Sequence, residues 1–198
     1  CALPISMPAQ LQSYRCVIWR IDDLAPPAAT LAAKITNYVN GGGSLLIASM
    51  EAVSRFAEAG LASFNSSILQ VQSYTVDQPV NDIDGVPGDP VGIGISATLD
   101  YTPYADILAL AGTDDPSDWI VSTTNAATSI QSDGPVVGIR SPKTGIDLPG
   151  RVVFLSFPLD AVPMSGGVTN NRAGLLRNRE HERAGADVGG LQPDLHRL

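Results

Sequence analysis

The chain has 198 residues, enough to bury one sizeable core. Apolar residues make up 44% and charged residues only 16%, a balance that excludes disorder throughout. No apolar run approaches the roughly 20 residues of a membrane-spanning helix, and a net charge of −8 argues against a nucleic-acid partner held through phosphates.

The first predicted element is a buried strand, Tyr14-Arg15-Cys16-Val17-Ile18-Trp19, short, aromatic and β-branched. A polar loop with Asp22, Asp23, Pro26 and Pro27 follows. Residues 28–39 predict a helix with Leu31, Ile35 and Val39 on one face. Asn40-Gly41-Gly42-Gly43 stops it, because glycine tolerates the left-handed cap conformation. Ser44-Leu45-Leu46-Ile47-Ala48 then predicts a strand buried on both faces, as in a parallel sheet. A second helix is expected over 51–60. This strand–helix–strand–helix order is a βαβ signature with an expected right-handed crossover.

The middle changes character. Residues 68–76 alternate like an exposed or edge strand. From about 77 to 130 the composition predicts an irregular, Asp-, Gly- and Pro-rich insertion. It carries a short apolar stretch at 91–95, a helical turn near Tyr101 to Leu108, and a strand at Trp119-Ile120-Val121. Residues 136–140 and 151–157 predict two strands joined by a hairpin loop. A last helix begins at 170–178 and loses its periodicity. Residues 179–198 are read as a poorly structured tail, out of frame, holding both His181 and His196. Residues 1–160 contain 7 Lys/Arg and 16 Asp/Glu, so the acidic balance belongs to the domain and not to the tail.

Few residues offer chemistry. Ser49 follows a strand, where an α/β protein would place a nucleophile, but its flanks Ile47 and Glu51 are too large for a nucleophile elbow. The alternative is a helix N-cap. The three glycines at 41–43 follow a helix instead of a strand, so they do not form a phosphate cradle. Asp82, Asp84 and Asp89 cluster like hard oxygen ligands for calcium, yet the terminal glutamate of a calcium loop is replaced by Ile93. The alternative is a solvated acidic turn. Tyr101, Tyr104 and Trp119 could stack on sugars, and Trp19 reads as core. Cys1 and Cys16 are too few for a disulfide framework. The chain opens on Cys1 and is read as a fragment; no signal peptide is present.

Several segments together carry a resemblance. They are Leu11-Gln12-Ser13-Tyr14-Arg15-Cys16-Val17-Ile18-Trp19, then Tyr38-Val39-Asn40-Gly41-Gly42-Gly43 and Leu45-Leu46-Ile47. Arg151-Val152-Val153-Phe154-Leu155-Ser156-Phe157-Pro158-Leu159-Asp160 and Asn170-Asn171-Arg172 follow in order. Over about residues 11–178 the chain resembles the class I glutamine amidotransferase-like superfamily, closest to non-catalytic members within large, often secreted, bacterial multidomain proteins. The resemblance implies an α/β fold: a flavodoxin-like three-layer sandwich on a mainly parallel sheet. Family members carry a strand and helix before the segment matching 14–19, so the first βα unit is expected to be missing. Active members carry a Cys where this chain has Ala48-Ser49-Met50, and a His-Pro-Glu step where it has Phe157-Pro158-Leu159-Asp160. Glutaminase activity is therefore not carried over.

The expectation is a non-enzymatic structural or binding module over 1–178, part of a larger extracellular or envelope bacterial protein, with no cofactor. Its partners would be other domains of the parent chain, carbohydrate or protein, without nucleic acid or a membrane span. The loops around Asp22, Ser49 and Asp160 form the expected ligand crevice, since such sheets bind ligands at the carboxyl ends of their strands. The alternatives are a carbohydrate-binding accessory domain of a secreted hydrolase, with Tyr101, Tyr104 and Trp119 exposed, and a hydrolase using Ser49.

Overall fold

The computed structural model describes residues 11–21, 27–111, 117–165 and 171–176. A 3-10 turn at Leu11–Ser13 leads into strand β1 (Cys16–Trp19), helix α1 (Ala29–Asn40) and strand β2 (Ser44–Ala48). The helix forms because Ala32, Ile35 and Val39 recur on one face and are buried there. It ends at the glycines, where the N–H groups of Gly41, Gly42 and Gly43 donate to the carbonyls of Asn37, Val39 and Tyr38. Gly43 has a further reason to lack a side chain: a Cβ there would lie 2.4 Å from the Tyr38 ring. That ring covers the turn, and its hydroxyl donates to the Tyr14 and Ser44 carbonyls at 3.0 and 3.2 Å and accepts from the Ser44 N–H at 3.2 Å. The turn thus fixes β1 against β2, which pair in parallel with Cys16 opposite Ser44.

Helices α2 (Ala52–Glu58) and α3 (Ala62–Ser67) follow, and α3 falls in a stretch where the sequence predicted no helix. Strand β3 (Val71–Gln78) pairs antiparallel with β6 (Ser117–Ser122) as a separate two-stranded ribbon. Between them lie β4 (Asp82–Gly85), β5 (Ser96–Thr98), a 3-10 turn at Thr102–Tyr104 and α4 (Ala105–Ala111). Strands β7 (Ala127–Gln131), β8 (Val136–Ser141) and β9 (Arg151–Leu155) precede a last 3-10 turn at Leu159–Ala161. Residues 172–176 are helical.

The main sheet has seven strands in the order β1-β2-β9-β8-β7-β4-β5. Its topology corrects the expected fold class. Only β1–β2 and β2–β9 pair in parallel, while β9–β8, β8–β7, β7–β4 and β4–β5 are all antiparallel. Among the described residues the fold is a curled mixed sheet with few helices, not a flavodoxin-like sandwich on a mainly parallel sheet. The segment expected to be an irregular insertion supplies β4, β5, β6 and most of β7. The apolar stretch at 91–95 lies in a turn that leads into β5.

Alternation along the central strands divides the core in two. Leu45 and Ile47 of β2, with Val152 and Phe154 of β9, point to one face. There they meet Ile35 of α1, Phe56 of α2, Phe64 of α3 and Ile120 of the ribbon. Trp19 sets its ring edge-on to Phe56 and Phe64, at centroid distances of 5.6 and 6.1 Å, within the range for favourable aromatic pairs. Leu46, Ala48, Val153 and Leu155 point to the other face. Their partners include Ile83, Ile130 and Val137 from the antiparallel end of the same sheet, which curls over its own second face.

Candidate functional site

The carboxyl ends of β1 and β2 and the segment after β9 open onto a cleft of about 170 Å³. Its walls are Ile18, Trp19, Ile21, Ala48, Tyr104, Pro158 and Leu159, and its polar groups are Arg20 and Asp160. β1 ends on Trp19 and Arg20 follows it in extended chain, so alternation sends the indole into the core and the guanidinium outward. Asp160 lies in the 3-10 turn after β9 and is held from both sides. Arg20 Nη1 reaches its Oδ2 at 2.9 Å, and Arg172 Nη1 reaches its Oδ1 at 2.9 Å. Arg172 also donates to the Asp160 carbonyl at 2.7 Å and to the Val162 carbonyl at 3.2 Å. The second arginine therefore fixes the backbone of the cleft wall, while the first is half in solvent.

Of the three residues expected to line the crevice, Asp160 does so. Asp22 lies outside the described residues. Ser49 follows the lining residue Ala48 but is itself only 1% exposed. Its N–H donates to the Leu155 carbonyl at 3.2 Å, and its Oγ accepts from the Glu51 N–H at 3.3 Å, just before α2. The hydroxyl therefore serves the turn into the helix, close to the expected N-cap role, although the capping position itself is Glu51. No histidine lies among the described residues.

The candidate calcium ligands do not converge. Asp82 and Asp84 are exposed on β4, and Asp82 accepts from the Thr98 hydroxyl at 2.5 Å. Asp89 is buried, and both its oxygens are occupied. Oδ1 accepts from the Val91 and Gly92 N–H groups at 3.0 and 3.1 Å, and Oδ2 accepts from Arg140 Nε at 2.7 Å. Among the described residues no three Asp, Glu, His or Cys side chains are placed to share a metal ion.

The aromatic residues do not form an exposed platform. Tyr104 is buried, and Tyr101 and Trp119 are half-buried against the second core. The Tyr101 hydroxyl donates to the Val80 carbonyl at 2.9 Å, and burial holds it above the usual phenol range.

Two features escape local sequence patterns. Arg172 meets Asp160 only after the chain turns back at the end of β9. Asp118, beside the predicted strand at Trp119, is a carboxyl that is 1% exposed, and its sequence neighbours give no sign of this.

No protein-family model matches the chain, and no curated protein matches it. Solved structures do. The cytoplasmic protein STM3548 from Salmonella typhimurium superposes with a TM-score of 0.56 at 15% identity, over 90% of this chain and 76% of that one. The cold-adapted β-galactosidase from Rahnella sp. R3 superposes with a TM-score of 0.53 at 14% identity, over 88% of this chain and 23% of that one. At such identities the likeness establishes a shared fold. This chain spans about a quarter of the β-galactosidase.

Proposed function

We propose that this chain is a non-enzymatic binding module of a larger protein, and that the cleft beside Asp160 takes one side-chain-sized group from a partner. The cleft geometry carries the proposal. Its volume of about 170 Å³ is below the roughly 300 Å³ at which pockets for whole small molecules begin. Its walls are apolar, and its charged groups among the described residues, Arg20 and Asp160, already neutralise one another in part, which suits capture and orientation better than bond cleavage. Ser49 supports the non-catalytic side, because its hydroxyl is buried and engaged in the turn into α2. The placement of this fold within about a quarter of the β-galactosidase supports a module within a longer chain. The resemblance to non-catalytic amidotransferase-like domains, and with it an extracellular or envelope location, belongs to the same proposal.

A fragment screen by ligand-observed NMR tests it. Small amphipathic fragments should bind the folded protein and lose their signal in Ile18→Trp, where an indole at the exposed rim would fill the cleft. Fragments that bind both proteins equally, or none that bind either, would overturn the proposal. Labelling of Ser49 by a fluorophosphonate probe would overturn its non-enzymatic half. A glycan array should stay blank, since Tyr101, Tyr104 and Trp119 pack inward.

A further inference from the structure

We propose that Asp118 is a proton latch: as a neutral carboxylic acid it lets the β3–β6 ribbon close over the helix-side core, and its ionisation loosens that ribbon. Alternation along β6 places Asp118 on the same side as Ile120, which belongs to the core beneath α1, α2 and α3. The residue is 1% exposed, and among the described residues neither carboxyl oxygen has a partner at full hydrogen-bond geometry, the Asp77 backbone N–H being the one weak donor that bears on it. A buried carboxylate in that state has one weak backbone donor in place of its water, whereas the neutral acid loses far less on burial.

The surrounding charges act in the same direction. Glu51 faces Asp118 from the front of α2, and Asp77 faces it from β3. Tyr74 of β3 is held above the usual phenol range by burial first, and then by the charges of Asp118 and of Glu58 of α2. Arg55 of α2 is the cation that favours ionisation, and it is already shared with Glu58 at 2.7 Å and Glu51 at 3.9 Å. The one charged residue of β8, which also packs on β6, is Arg140, and it is held by Asp89. Burial first, and then the charges of Glu51 and Asp77, push the Asp118 carboxyl up to about 8, against a smaller opposing pull from the Asp77 N–H and Arg55.

The ribbon is also irregular at this point. Its register shifts between Thr75 and Gln78, and Asp77 holds a left-handed φ of 54°. A bulge interrupts the ladder opposite Asp118, so the pairing there is incomplete when the carboxyl ionises.

The sign follows from proton binding. Unfolded, Asp118 titrates near the ordinary 3.8; folded, near 8. Between these values the folded state binds the extra proton, so the contribution of Asp118 to stability declines as pH rises and is fully lost once pH passes about 8.

Hydrogen exchange of the full chain, resolved by NMR from about pH 5 to 9, tests the latch. After correction for the chemistry of exchange, opening of amides in 71–78 and 117–122 should rise by up to ~10-fold per pH unit, while β2 and β9 change less. Thermal melts should show the midpoint falling with pH in the wild type and a flatter profile in Asp118→Asn. Glu51→Gln should move the transition to lower pH. Equal pH profiles in wild type and Asp118→Asn would overturn the latch. If Asp118→Asn does not fold, ribbon protection in the wild type that stays constant with pH overturns it equally.

Discussion

Asp89 shows how one carboxylate can be committed to folding. Its two oxygens take three donors, and one of these, Arg140, also donates Nη1 to the Pro142 carbonyl at 2.9 Å. Both partners are nearly buried, with side-chain exposures of 4% and 11%. Removing one member leaves the other charged and dry, which costs about 3–5 kcal/mol. Asp89→Ala should therefore shift the urea midpoint by an amount in that range, and neither calcium nor chelator should move the wild-type midpoint. A calcium-dependent midpoint would return Asp89 to the ligand set. Arg172 makes a comparable prediction for the cleft wall. Arg172→Ala removes charge-assisted bonds to Asp160 and Val162, each worth about 1.5–3 kcal/mol. Urea melts should show a loss of that order, and a shift within error would mean that the 159–161 turn holds itself. The sequence displays the acidic cluster 82–89 plainly. It cannot display the partner, which is 51 residues further along, because no periodicity links a loop carboxylate to a guanidinium two strands away.

At the scale of elements, close backbone contact decides which residues are tolerated. Gly92 lies where a Cβ would fall 1.8 Å from the Ser129 carbonyl oxygen, and that oxygen accepts the Val86 N–H at 2.8 Å. Neither group can yield without parting β4 from β7. Gly92→Ala should cost about 3 kcal/mol or more, read as a lower thermal midpoint. An unchanged midpoint would mean that the turn at 87–94 can shift away from the sheet. Local periodicity made β1, α1 and β2 legible, and likewise the hairpin of β8 and β9, because each element buries a face of its own. The unbroken apolar run of β2 was a sound sign of burial on both faces, and all five of its residues are buried. It was sound on local direction too, since β2 pairs in parallel with both β1 and β9; what it could not show is that the sheet turns antiparallel beyond β9. The strands β4, β5 and β7 were obscured by their composition. They are three to five residues long and rich in Asp, Ser, Thr and Gly. Only Ile83 and Ile130 mark the core side in β4 and β7, and these are buried by neighbours distant in sequence.

At the scale of the whole molecule, one sheet separates two cores and ties them together. β2 and β9 feed alternate side chains to both, with Leu45 paired to Val152 and Leu46 to Val153 in adjacent steps of one ladder. Neither core can melt while the ladder stays intact without exposing one entire face of these strands. The two tryptophans report on the two sides, since Trp19 belongs to the first core and Trp119 packs against the second. In Trp119→Phe the fluorescence follows Trp19, and in Trp19→Phe it follows Trp119. Each variant should show the same urea midpoint by fluorescence and by far-ultraviolet circular dichroism, as a two-state unfolding requires. The Trp19 substitution should lower that shared midpoint more, because Trp19 is more deeply buried and stacks its edge against Phe56 and Phe64. If the Trp119 signal instead changed well before the circular dichroism in Trp19→Phe, the second core would be a separately melting unit. In that case β2 and β9 would hold the first core without help from the curled end of the sheet.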